Sequence, residues 1–104
     1  MKAGRGYIIR FFEDSSNMAL FYAEDKTPYY RHISNPWSTN LKDANVFLDY
    51  VEAVKTIIKI KKTIKNLHKK GYLYISKVFY KEDHNRLAPI KLTKPDRHDF
   101  LQAI

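Results

Sequence analysis

Cysteine is absent from this chain of 104 residues, which removes disulfide bridges, thiolate metal sites and the most reactive covalent nucleophile from consideration. An oxidising compartment gains no support from such a composition. Glycine is nearly as scarce, with three residues, and neither a Gly-rich phosphate loop nor a nucleophile elbow is found. Long apolar runs are missing too. Tyr7-Ile8-Ile9 is interrupted at Arg10, too short for the apolar region of a signal peptide, and no segment approaches the ~20 apolar residues of a membrane span. These gaps predict a cytoplasmic protein with no membrane contact, no cofactor and no catalysis. The most telling absence is of one charge sign: between Ala53 and Lys81 there is no Asp or Glu, while nine lysines occur (Lys55, Lys59, Lys61, Lys62, Lys65, Lys69, Lys70, Lys77 and Lys81).

What is present suffices for one small core. Residues of the apolar set make up 44% of the chain, with eight Tyr, six Phe and one Trp, and the length fits a single domain over residues 1–104. The net charge of +8 is uneven: residues 1–48 hold six Lys/Arg against five acids, and residues 49–104 hold thirteen against six. Summed like charges raise the local potential and steer anionic partners toward the middle of the chain.

Along the chain, Tyr7–Phe12 and Met18–Ala23 are β-branched and aromatic runs around the polar Glu13–Asn17, the pattern of a β-hairpin. Tyr29–Ile33 is a candidate third strand. Asn35–Asn40 reads as loop, and Leu41–Phe47 as a short helical turn. At Asp49 a helix begins: its carboxylate can accept first-turn amides, Glu52 can reach back to the cap amide, and Leu48 with Ala53 fits an apolar staple. Tyr50, Val54, Ile57, Ile58, Ile64 and Leu67 then keep to one broad face, and Gly71 after Lys69-Lys70 is the expected end, about five to six turns on. Tyr72–Lys81 alternates as a strand, Arg86–Lys94 looks extended, and Pro95 with Phe100, Leu101 and Ile104 suggests a short C-terminal helix. The expected fold is α+β: a small antiparallel sheet, made of the N-terminal hairpin and a strand after the helix, packed against one long helix, with a short C-terminal helix.

At 100° per residue Lys55, Lys59, Lys62 and Lys69 share one side of that helix, with Lys65 near its edge, while Lys61 intrudes on the apolar stripe and can snorkel outward. Any solvated helix needs a charged face, but such faces usually mix Glu with Lys. Here Lys55/Lys59, Lys61/Lys65, Lys62/Lys65 and Lys65/Lys69 are repulsive pairs, each costing ~0.2–0.5 kcal/mol. An acidic macromolecule would relieve them, either nucleic acid met at its phosphates or an acidic protein surface. Tyr72, Tyr74 and Tyr80 share one strand face with Ser76 and Val78, and a tyrosine row beside Lys77 and Lys81 resembles a base-stacking platform. The same rings serve equally as cross-strand packing. The candidate partner-binding residues are therefore Lys55, Lys59, Lys62, Lys65, Lys69, Lys70, Lys77, Tyr72 and Tyr74.

Catalytic and metal readings find little. His32, His68, His84 and His98 have no partner at ligand spacing, and Pro95-Asp96 opens a nuclease-like motif that no Glu-x-Lys completes. The stretch Pro36–Phe47, with Ala44-x-x-Phe47 and then Ala53 on the following helix, resembles a pattern in small accessory proteins of Gram-positive bacteriophages and mobile elements, where an aromatic hairpin precedes a helix. That resemblance implies a non-catalytic protein that inhibits host defence, anti-CRISPR proteins being the best-known class, and that works in the host cytoplasm. The expected function is stoichiometric inhibition of a host defence nuclease or ribonucleoprotein through the lysine-rich helix; the alternative is a general nucleic-acid-binding accessory protein.

Overall fold

A computed structural model describes residues 3–13, 18–23, 37–66, 71–83, 86–93 and 100–103. Its elements are β1 (Ala3–Glu13), β2 (Met18–Tyr22), β3 (Trp37–Ser38), a 3-10 turn at Leu41–Asp43, α1 (Tyr50–Asn66), β4 (Gly71–Asp83), β5 (Arg86–Leu92) and β6 (Phe100–Ala103). All pairings are antiparallel, in the order β3-β2-β1-β4-β5. The sixth strand, β6, lies on the same edge of β4 as β5 but at its other end, pairing Tyr72–Ile75 where β5 pairs Val78–Asp83.

The expected α+β layout with a short C-terminal helix is therefore wrong. The protein is mostly β: a curled antiparallel sheet carrying one helix among the described residues. The physical reason lies in β4, which is thirteen residues long and pairs with β1 over eleven of them. Its opposite edge needs partners along its whole length, and β5 serves only one end. Phe100–Ala103 is too short a segment to nucleate a stable helix alone, so it is better satisfied by completing that edge. The expected third strand at Tyr29–Ile33 lies outside the described residues. Trp37-Ser38, expected as loop, forms a strand against Phe21 and Tyr22.

Period-two alternation sorts β1 and β4 onto two faces. One face presents Ile9 and Phe11 with Leu73 and Ile75, and these pack under Ala53, Ile57 and Ile60 of α1 together with Tyr22 and Trp37. The other presents Ile8 and Val78 beneath Ala44, Leu41 and Val46, the segment around the 3-10 turn. The chain passes between these layers around the edge of β1. Asn45 donates to the Tyr22 carbonyl at 2.9 Å, and Tyr7 and Phe47 exchange backbone hydrogen bonds of 2.8 and 2.7 Å.

That exchange sets where the helix starts. Val51 donates its amide to Asp49 Oδ1 at 2.9 Å, so Asp49 caps the first turn as its residue type suggests. Glu52 instead lies 3.8 Å from Lys55 Nζ, and Leu48 is exposed while Ala53 is buried, so the staple does not form. The ring of Tyr50 meets Tyr7 edge-on, with centroids 5.4 Å apart.

Two predictions follow from packing. Ile57 has no exposed surface and Ile58 is 57% exposed, so Ile57→Ala should cost ~2–5 kcal/mol and Ile58→Ala within about 0.5, read by urea unfolding. A Cβ at Gly6 would stand 2.7 Å from Val46 Cγ1 and 3.1 Å from the Phe47 carbonyl oxygen. Val46 is stiff and packed, so Gly6→Ala should destabilise by roughly 1–3 kcal/mol in the same assay.

Candidate functional site

The residues singled out by charge and ring type fall on different surfaces. Lys55 and Lys59 are exposed on the outer side of α1, and Lys61 is half-buried at its flank. Lys55 is paired with Glu52, which lies just before the acid-free stretch, so its charge is partly offset. Lys62 and Lys65 lie on α1, with side chains outside the description; Lys69, Lys70 and all four histidines lie outside the described residues. No cluster of metal-ligating side chains occurs among the described residues, and no helix there is long and apolar enough to cross a membrane.

The tyrosine row divides. Tyr72 is 42% exposed, but Tyr74 is 5% exposed, with the Arg10 guanidinium 5.0 Å from its ring centroid. Arg10 also lies 5.4 Å from the Phe21 centroid and donates from Nη1 to the buried Ser76 Oγ at 3.4 Å. Tyr74 is thus part of a packed cation-and-ring layer and has no free face for a base. Tyr80 lies against Gly4 and Gly6, whose missing side chains make room for its ring. Lys77 and Lys81 do not flank these tyrosines. Alternation on β4 turns them to the helix face, with Phe79 between them.

This regrouping exposes a surface that sequence reasoning missed. Among the described residues α1 packs on the Ile9, Phe11, Leu73 and Ile75 end of the helix face and none covers the other end, where pairing brings Arg5 of β1 and Lys91 of β5 to either side of Phe79. Arg5 lies 5.4 Å and Lys91 Nζ 5.7 Å from the ring centroid. Arg5, Lys77, Lys81 and Lys91 are all exposed and Phe79 is half-buried, so four cations surround one accessible ring. Several acids are engaged elsewhere: Asp43 accepts from Ser38 Oγ at 2.7 Å, Asp49 caps α1 and Glu52 meets Lys55. The patch draws on three strands far apart in sequence. The only signal for it in the linear sequence was the Lys77-x-Phe79-x-Lys81 alternation.

Arg86, a further cation of β5, is used structurally: its Nη2 donates to the Lys42 carbonyl at 3.0 Å and lies 3.4 Å from that of Ala44, tying β5 to the 3-10 turn. No family model matches the chain, and no curated protein or solved structure matches it. The likeness to phage accessory proteins accordingly remains one of residue types.

The different burial of the two tyrosines is testable. Tyr74→Ala should cost ~3–5 kcal/mol of stability by opening a cavity beside Arg10, whereas Tyr72→Ala should cost under about 1. Thermal melts of both variants check it.

Proposed function

We propose that this protein is a non-catalytic, basic binding protein whose partner is nucleic acid, held on the open half of the sheet. The observation that supports this most directly is the convergence of Arg5, Lys77, Lys81 and Lys91 around Phe79. Exposed cations meet phosphates without reading sequence, and each contact releases counterions. The side chains of this patch are suited to backbone contact, so binding is expected to be indifferent to base order. Phosphate contact needs no turnover, and the protein acts by occupancy.

A second reading is favoured by the outer side of α1, where Val51 and Ile58 are exposed beside Lys55 and Lys59, with exposed Leu48 just before the helix. Apolar side chains among cations suit an acidic protein surface better than a phosphate backbone. A nuclease inhibitor of the kind the phage likeness implies would use this side, and inhibition would titrate to an equivalence point.

The two readings separate by mutation. Affinity of the wild type for a single strand should fall with salt at a log–log slope of about −0.7 per phosphate contact, near −3 if all four cations engage. Lys77→Gln with Lys81→Gln should reduce that slope by about 1.4 and leave melting temperature nearly unchanged, since both sites are exposed. Lys55→Glu with Lys59→Glu should leave strand binding intact. If the helix pair abolishes it and the sheet pair does not, the ligand belongs on α1.

A further inference from the structure

We infer that the Phe79 ring is a base-stacking platform, so that the nucleic acid taken by this surface is single-stranded. The inference rests on the nucleic-acid reading above and adds the state of the strand. Among the described residues Phe79 packs into neither of the two core clusters, although a phenylalanine in a small sheet protein would ordinarily be used there. It stands instead on the middle strand of the open half, with Arg5 and Lys91 on the flanking strands and Lys77 and Lys81 two residues either side of it. At about 4.8 Å between strands and about 6.6 Å between alternate residues, the cations ring the phenyl group within one nucleotide's reach.

A duplex cannot use such a ring. Its bases are stacked inside, and it would offer the phenyl group only sugars and phosphates, for which four lysine or arginine side chains alone would do as well. An unstacked base has a free face, and aromatic platforms exploit it with little regard to sequence. The cations now on the ring do not prevent this. An exposed cation–ring contact is worth about two- to fivefold in an equilibrium constant, whereas stacking of one base is worth about five- to 150-fold. A base therefore displaces Lys91, and the released ammonium lies beside the phosphate of the same nucleotide.

The neighbouring strand is shaped to fit. Phe79 pairs with Lys91 and Tyr80 with Pro89, so Ile90 is the extra residue of a bulge and is exposed. Bulges twist a strand and re-aim its side chains. Here the bulge keeps Lys91 on the face of Phe79 while Pro89 stays buried.

The test compares three labelled nucleic-acid probes, and labelled poly-glutamate beside them, at one salt concentration by fluorescence anisotropy: a twelve-residue oligothymidylate, an abasic strand of the same length and charge, and a duplex of twelve base pairs. The wild type is expected to bind oligothymidylate at least about fivefold more tightly than the abasic strand, one stacked base sufficing. Phe79→Leu should erase that ratio while leaving abasic and duplex affinities within about twofold, in line with a lost cation–ring contact. Phe79→Trp should keep the preference, and its emission, above that of buried Trp37, should be quenched by oligothymidylate and not by the abasic strand. Equal wild-type affinity for thymidylate and abasic strands overturns the stacking role and leaves the charge-based reading standing. Bound thymidylate that leaves the Trp emission unchanged also overturns it. Failure of the wild type to bind any of the three, or equal binding of poly-glutamate, overturns the nucleic-acid reading itself.

Discussion

The pairing of β1 with β4 is the constraint on which the rest of this protein depends. Eleven consecutive partners, from Ala3 with Lys81 to Glu13 with Gly71, join the first strand to the strand that follows the helix in one ladder. Every other layer is placed by it. The helix lies on Ile9, Phe11, Leu73 and Ile75; the 3-10 segment lies on Ile8 and Val78; β2, β5 and β6 complete its outer edges. A one-residue slip would exchange the two faces, setting Arg10 and Ser76 beneath the helix and Ile9 in the layer meant for cations. What forbids that slip is the different packing of the two faces: Ile9, Phe11, Leu73 and Ile75 meet the helix, while Ile8 and Val78 meet the 3-10 segment and Arg10 meets Tyr74 and Ser76.

The same chemical motif then appears on both faces with opposite consequences. Arg10 sits half-buried among Phe21 and the buried Tyr74 and Ser76, and partial burial there strengthens the cation–ring contact by limiting competing water. Arg5 and Lys91 sit exposed on Phe79, where the contact is weak and exchangeable. What separates a structural from an available cation is therefore the covering layer and not the residue type. Counting lysines along the chain could not make that distinction.

Much of the local structure was legible because its cause is local. The hairpin strands, the helix start at Asp49 and the alternating strand after the helix each follow from neighbours in sequence, through β propensity, capping and periodicity. The errors arise where a distant partner decides. Phe100–Ala103 becomes a strand because β5 stops short on β4, and Trp37-Ser38 becomes one because β2 offers a free edge. One error is local instead: Tyr72, Tyr74 and Lys77 do not form a common surface, because a period of two along β4 puts Tyr74 and Lys77 on opposite faces. Arg5, Phe79 and Lys91 come from three strands, and no spacing in the linear chain brings them together.

The open half of the sheet has a structural origin in the crossing at Tyr7. Phe47 claims the edge of β1 through its two hydrogen bonds to Tyr7, and Gly6 beside it lets Val46 approach the strand. Three residues later α1 begins, its first ring against Tyr7 and its length running toward the Phe11 and Leu73 end of the sheet. At 1.5 Å per residue the helix is about 25 Å long, and the core residues that its described side chains meet lie on that half. Had the crossing occurred nearer Ala3, α1 would lie over Arg5, Phe79 and Lys81, and burying so many cations under an apolar stripe would be strongly unfavourable. The position of the crossing and the charge of the uncovered strands are thus one arrangement: the cations gather where the helix does not reach, and the helix starts where the cations end.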